Sequence, residues 1–270
     1  MPSAADHPSS KFTRLLVMGP SGTGKTGGLL SLILAGFQVR VIDMDNGLDW
    51  LINKLKRDHP DKLKNLAYMG PFRDKFKMTD AGPIYDGIPK AYTNSIKALQ
   101  KWDDGTVPSE WGSDHVLALD SLTFFGNAAY NWQDALNPGV KDKRQIYGSA
   151  QSAVADILDA ITSDAFHANV IVFTHVRWKT VTDDKGNTSI IGGGPSSIGE
   201  ALTDKIGTYF NNVGLAERTG SGASEKRQIR FTSNGLVDLK SSALSLPTTP
   251  LPLESALATF FKAARGEKIN

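Results

Sequence analysis

The sequence predicts an α/β fold, a mostly parallel sheet flanked by helices. Three observations carry that expectation. Short, continuously apolar runs recur at residues 12–18, 39–43, 115–120 and 170–174, as strands buried on both faces require. Segments with apolar residues at helical spacing separate them. The first run passes directly into a glycine-rich turn and then a helix-forming segment. Strands alternating with helices imply right-handed crossovers and parallel neighbours.

Composition narrows the classes. The chain has 270 residues, 40% of them hydrophobic and 21% charged, as a folded globular protein should. Such a length supports a sizeable core. Cysteine is absent, which excludes a disulfide scaffold, a thiolate metal site and a cysteine nucleophile. No apolar run approaches the ~20 residues of a membrane span. Residues 1–10 are polar and lack the apolar centre of a signal peptide. A cytoplasmic location and no membrane partner are therefore expected. Thirty basic residues against 28 acidic ones give a net charge of +2, so any nucleic-acid contact must be local.

Along the chain, residues 1–11 read as a disordered lead-in and 12–18 as the first strand. The glycine-rich turn follows, then a helix over 29–37, a strand over 39–43 and a helix over 48–57. Residues 66–69 form a short edge strand. Residues 71–89, rich in Gly, Pro and charge, read as loop. Residues 88–102 are helical, with Ile96 and Leu99 on one face, and 115–120 is the third core strand. Residues 126–145 are polar and hold the turn signal Asn137-Pro138-Gly139, so they read as a long loop. Ala150, Val154, Ile157, Leu158 and Ile161 make 147–163 an amphipathic helix. After the strand at 170–174, residues 178–199 carry Gly192-Gly193-Gly194-Pro195 and read as a second long loop. Long loops in a compact domain are usually functional or disordered. Strands over 206–215 and 227–232, a Pro-rich stretch over 247–252 and a helix over 253–264 complete the pattern. The expected organisation is a core over 12–246, followed by a Pro-rich segment and C-terminal helix over 247–270.

Gly19-Pro20-Ser21-Gly22-Thr23-Gly24-Lys25-Thr26 is a complete G-x-x-x-x-G-K-T motif between a buried strand and a helix. Its glycines let the backbone curl so that successive N–H groups point at phosphate oxygens, and the helix N-terminus adds positive potential. Lys25 reaches the β- and γ-phosphates of a nucleotide such as ATP, and the Thr26 hydroxyl binds Mg²⁺. Gly27 and Gly28 cost a first helical turn about 1 kcal/mol each relative to Ala. Close approach of another element is the expected reason.

Asp120 ends the apolar strand Val116-Leu117-Ala118-Leu119. It reads either as the carboxylate supporting the Mg²⁺ shell or as a cap for the next helix. Ser121 stands next, where AAA-type enzymes usually place a water-activating Glu, so either the base comes from elsewhere or hydrolysis is poor. Asp45, in Val41-Ile42-Asp43-Met44-Asp45-Asn46-Gly47-Leu48-Asp49, is the candidate. The rival reading has Asp45 or Asn46 capping the helix that begins near Leu48.

At these residues the chain resembles the RecA-like recombinase ATPases, within the AAA-family ATPases. It looks most similar to the short phage ATPases of single-strand annealing and recombination, from about Thr13 to Lys240. The resemblance implies a RecA-like ATPase core, with Asp45 at the base position and Asp120-Ser121 closing the metal-side strand. It places a γ-phosphate sensor at His175, in Val172-Phe173-Thr174-His175, where RecA itself carries Gln. It also implies DNA-binding segments after both strands. Those hold Lys141, Lys143 and Arg144 beside Tyr130 and Trp132, and Arg177, Lys179 and Lys185 beside Trp178. Basic side chains among aromatics suit single-stranded DNA, although Asp134, Asp142, Asp183 and Asp184 reduce the local charge and a merely solvated pair of loops is the alternative. Lys240 is the first candidate to reach a neighbour's ATP, ahead of Arg218, Arg227 and Arg230. A homo-oligomer, ring or filament, follows, as do a single-strand binding protein as partner and the host cytoplasm if the source is a phage. The alternative functions are a P-loop kinase or phosphotransferase, and a nucleotide-gated assembly protein with little turnover.

Overall fold

The computed structural model describes residues 11–269. The lead-in expected over 1–11 lies, apart from Lys11, outside the described residues.

Eleven strands and seven α-helices follow in the order β1 (Arg14–Met18), α1 (Lys25–Leu34), β2 (Gln38–Asp43), α2 (Asp49–Asp58), β3 (Leu66–Met69), β4 (Phe76–Thr79), β5 (Gly82–Tyr85), α3 (Ala91–Gln100), β6 (Gly112–Asp120), α4 (Leu122–Leu136), α5 (Lys143–Thr162), β7 (Ala168–Thr182), β8 (Thr188–Ser196), α6 (Glu200–Ile206), β9 (Asn212–Thr219), β10 (Lys226–Arg230), β11 (Leu251–Pro252) and α7 (Leu253–Ala264). The main sheet runs β11-β10-β9-β1-β7-β6-β2-β3, with β8 paired only to β7. From β9 to β3 every pairing is parallel; β10 and β11 run antiparallel at one edge.

Both faces of the sheet are buried, and the two-residue period of a strand sorts side chains between them. Leu15, Val17, Val39, Val41, Ile171 and Phe173 pack with α1, α2 and α7. Leu16, Met18, Leu117, Leu119, Val170 and Val172 pack with α3, α4, α5 and α6. This double burial is why the strands read as unbroken apolar runs.

The strand order brings four strand ends together. Met18 pairs with Thr174, Phe173 with Asp120, and Asp120 with Asp43. The loop after β1, the Thr174–His175 step of β7, Asp120 of β6 and the turn after β2 therefore meet at one end of the sheet.

Both expected long loops are instead ordered. Residues 122–136 are helix α4, because Leu122, Phe125, Ala128 and Ala129 recur at helical spacing and are buried. The loop there is confined to residues 137–142. Residues 178–199 are largely a β-hairpin, in which Trp178 stands opposite Gly193. A Cβ on Gly193 would lie 2.6 Å from the Trp178 indole, so the glycines make room for that ring. Within the expected loop 71–89, β4 and β5 form a small ribbon. The strand expected over 206–215 begins only at Asn212, since residues 200–206 are helix α6.

Helix α7 packs along α1, with Leu253, Leu257, Phe260 and Phe261 in the same apolar cluster as Leu29, Leu32 and Ile33. The C-terminal helix is thus part of the core layer that supports the first loop.

Candidate active site

The turn between β1 and α1 starts with a close approach. A Cβ on Gly19 would sit 2.4 Å from the Ala216 carbonyl oxygen of β9, so this position is closed to side chains. Gly22 and Gly24 take left-handed φ values of 79° and 86°, which L side chains rarely adopt. Within the turn, the Thr23 hydroxyl donates to Pro20 O at 2.9 Å. Lys25 is buried, and its ammonium donates to Gly19 O at 2.8 Å and Pro20 O at 3.0 Å. Burial lowers its pKa, with the charges of Asp120 and Asp45 opposing. Gly27 and Gly28 have the expected explanation. A Cβ on Gly27 would lie 3.1 Å from the Trp50 ring of α2, and one on Gly28 3.3 Å from Leu253 of α7.

Thr26 meets Asp120 directly: its hydroxyl donates to Asp120 Oδ2 at 2.5 Å. Burial first, and then the charge of Asp45, push the Asp120 carboxyl up to about 7. Asp120 caps nothing, because the N-cap of α4 is Ser121. Asp43 takes the turn-forming role after β2, its Oδ1 accepting the Asn46 N–H at 2.8 Å and the Asp45 N–H at 3.2 Å. Burial raises its pKa, against the hydrogen bond from the Asn46 backbone. Leu48 is the N-cap of α2 and no side chain caps that helix, so neither Asp45 nor Asn46 does so. Asp45 instead keeps Oδ1 buried with no hydrogen-bond partner.

Gly22, Gly24, Lys25, Thr26, Asp45 and Asp120 line one cavity of about 670 Å³, together with His175, Trp50, Leu30, Lys54, Arg227, Leu253 and Glu254. His175 is half-buried. Desolvation first, then Lys25, lower its pKa against Asp45, so the ring is neutral at pH 7. A buried ammonium and glycine-freed amides suit a polyphosphate. An alcohol and carboxylates crowded around one point, one carboxylate oxygen unpartnered, form the all-oxygen donor set of a hard divalent cation. The residues present therefore fit Mg²⁺ at Thr26 and Asp120.

A family model described as an AAA domain matches residues 11–242. The chain belongs to the AAA domain family. No curated protein matches this AAA-domain chain. Among solved structures it is similar to the RadB recombinase, with 15% identity and a TM-score of 0.43 over 84% of this chain and 91% of that one. It is also similar to the flagellar accessory protein FlaH of Methanocaldococcus jannaschii, with 12% identity and a TM-score of 0.41 over 81% and 76% of the two chains. A KaiC-like protein of Pyrococcus horikoshii OT3 has 13% identity and a TM-score of 0.37, covering 81% and 78%.

In this AAA domain, the residues expected to touch DNA sit on two projections. Lys143 and Arg144 lie in the first turn of α5 and pair with Asp134 and Asp142; Lys141 is exposed on the preceding turn. Arg177 and Lys179 on the β7–β8 hairpin pair with Glu200 at 2.6 Å and Asp204 at 3.1 Å, and Lys185 is exposed at its tip. Tyr130 and Trp132 are not loop aromatics. They lie on α4, where Tyr130 packs tilted against Tyr147 and Trp132 stacks on Tyr92.

Of the candidates to act on a neighbour, Arg227 reaches the AAA domain's own cavity, beside Gly24. Arg218 pairs with Glu225 and Arg230 with Glu217. Lys240 is exposed, hydrogen-bonds through its backbone to Val213 and does not line the cavity. Sequence reasoning passed over Trp50 and Leu253, which line the cavity. Trp50 had a readable signal, an aromatic on an otherwise polar helical face one turn after Asp45. Among the described residues no helix is long and apolar enough to cross a membrane.

Proposed function

We propose that the chain is a Mg²⁺-dependent ATPase that binds single-stranded DNA and works as a homo-oligomer in phage-type recombination or strand annealing. One observation carries the ATPase part: the Thr26–Asp120 hydrogen bond at the foot of the glycine-rich loop, with the unpartnered Asp45 oxygen buried beside the same cavity.

The loop amides and Lys25 cradle the β- and γ-phosphates of ATP. Thr26 and Asp120 would hold Mg²⁺, which when bound neutralises charge on the phosphate oxygens. Asp45 orients a water towards the γ-phosphorus and accepts its proton as the P–O bond to ADP breaks. His175, neutral and on the cavity wall, hydrogen-bonds the γ-phosphate.

Trp50 and Leu253, packed against the adjacent positions Gly27 and Gly28 of α1, line the cavity and supply apolar surface for the base. Trp50→Ala should weaken ATP binding about 5- to 150-fold, the range of base–aromatic stacking, and leave the affinity for inorganic tripolyphosphate unchanged. Calorimetric titration with both ligands checks this; equal losses would show that Trp50 only props the loop.

The DNA part rests on the family resemblance and on exposed cations on both projections. Their ion pairs are solvent-exposed and therefore weak, so phosphate can take the place of the acids. Lys240, exposed and off its own cavity, suits contact with a neighbour's nucleotide. The test is the ATPase rate with and without single-stranded DNA at low salt, where phosphate contacts are strongest. Stimulation that fades as salt rises is expected. No DNA binding at low salt with ATP present removes the recombination reading.

A further inference from the structure

A line of hydrogen bonds leaves the cavity and ends in the β7–β8 hairpin. The Gly19 N–H, in the phosphate loop, donates to Thr174 O at 3.1 Å. That carbonyl shares its peptide with the His175 N–H, which donates to Thr123 Oγ1 at 3.1 Å. The Thr123 hydroxyl in turn donates to Ser196 O at 2.8 Å. Ser196 is the last residue of β8 and the register partner of His175. All the donors point the same way, an arrangement in which each bond polarises the next. The 174–175 peptide is a planar unit, so a tilt imposed at its carbonyl is felt at its N–H.

The far end of this line is held close to α4 and α5. A Cβ on Gly126 would lie 2.7 Å from Ser197 Oγ, and Gln151 Nε2 donates to Ile198 O at 3.2 Å. The hairpin root is therefore clasped by two helices, and Thr123 is the side chain that joins it to the His175 N–H. It accepts from one strand and donates to the other, a dual role that serine keeps and valine loses. The Thr174 hydroxyl also donates to Ser196 O, so the root retains one hydrogen bond without Thr123.

We infer that Thr123 is a positioning residue that couples the occupancy of the nucleotide cavity to the conformation of the β7–β8 hairpin. Phosphate entering the loop shifts the Gly19 amide and the 174–175 peptide, and Thr123 passes that shift to the return strand. This rests on the proposed nucleotide site but not on DNA binding. If the hairpin also binds a polynucleotide, linkage requires that nucleotide and polynucleotide affect each other's affinity by the same factor.

The experiment is hydrogen–deuterium exchange across residues 176–198, with and without ATP and Mg²⁺, on the full chain. ATP binding is measured separately by calorimetry. In the wild type ATP should change exchange in β8 by about tenfold or more, within the usual range of coupling between sites. Thr123→Ser should retain that response. Thr123→Val should bind ATP and lose it, a split that a merely structural role does not produce. Should Thr123→Val not fold, Thr123→Ala removes the hydroxyl without the second methyl and serves the same comparison. A wild-type hairpin indifferent to bound ATP overturns the inference, as does a full response without the hydroxyl or a serine variant that fails like valine. A wild type that binds no ATP overturns the nucleotide reading itself.

Discussion

Asp45→Asn lowers ATP turnover by about 10²–10⁴-fold, the range for removing a general base, with ATP affinity little changed. Asp45 is set apart from the two other aspartates at the strand ends by having no structural partner. Asp120 accepts from Thr26, and Asp43 holds the turn by accepting two backbone N–H groups. Asp45 has a buried oxygen with no partner, and no helix uses it as a cap. The amide keeps the shape and polarity but cannot take a proton, so single-turnover hydrolysis reads the loss directly. Asp43→Asn is the informative contrast. It disturbs the turn and so affects thermal stability before it affects chemistry. Unchanged hydrolysis in Asp45→Asn would remove the base assignment and favour a nucleotide-gated assembly protein with little turnover.

Lys25→Ala has the other large effect, a loss of about 10²–10³-fold or more in turnover, as when a preorganised charge donor is removed, together with weaker ATP binding. Its ammonium organises the loop by donating to Gly19 and Pro20, and it stands against the negative charge of Asp120 and Asp45. Without it, Asp120 and Asp45 face the cavity with no buried cation beside them. Equilibrium binding and steady-state rates separate the affinity loss from the turnover loss. A variant with wild-type affinity and rate would mean that the loop is structural.

The parallel sheet and the glycine-rich turn were legible because their signals are local. A strand buried on both faces must be apolar throughout, and a backbone that passes through left-handed φ values favours glycine. The Gly27-Gly28 pair was legible as a demand for close packing, though not as to what packs there: Trp50 and Leu253 come from distant parts of the chain. The two projections were misread for different reasons. In α4 the polar residues face outward and mask a buried stripe of Leu122, Phe125 and Ala129. In the hairpin, Gly192-Gly193-Gly194 looked like loop, yet those glycines sit in a strand opposite Lys179, Trp178 and Arg177. The β-branched residues Thr180, Val181, Thr182, Ile190 and Ile191 were the overlooked strand signal. Thr123 carried no signal at all, since its role exists only once β6, β7 and β8 are side by side.

The seating of α7 on the first loop has a consequence for truncation. Leu253 lies against the positions of both Gly24 and Gly28, so residues far apart in sequence complete one another. A chain cut at residue 246 should expose the apolar side of α1 and lack one wall of the cavity.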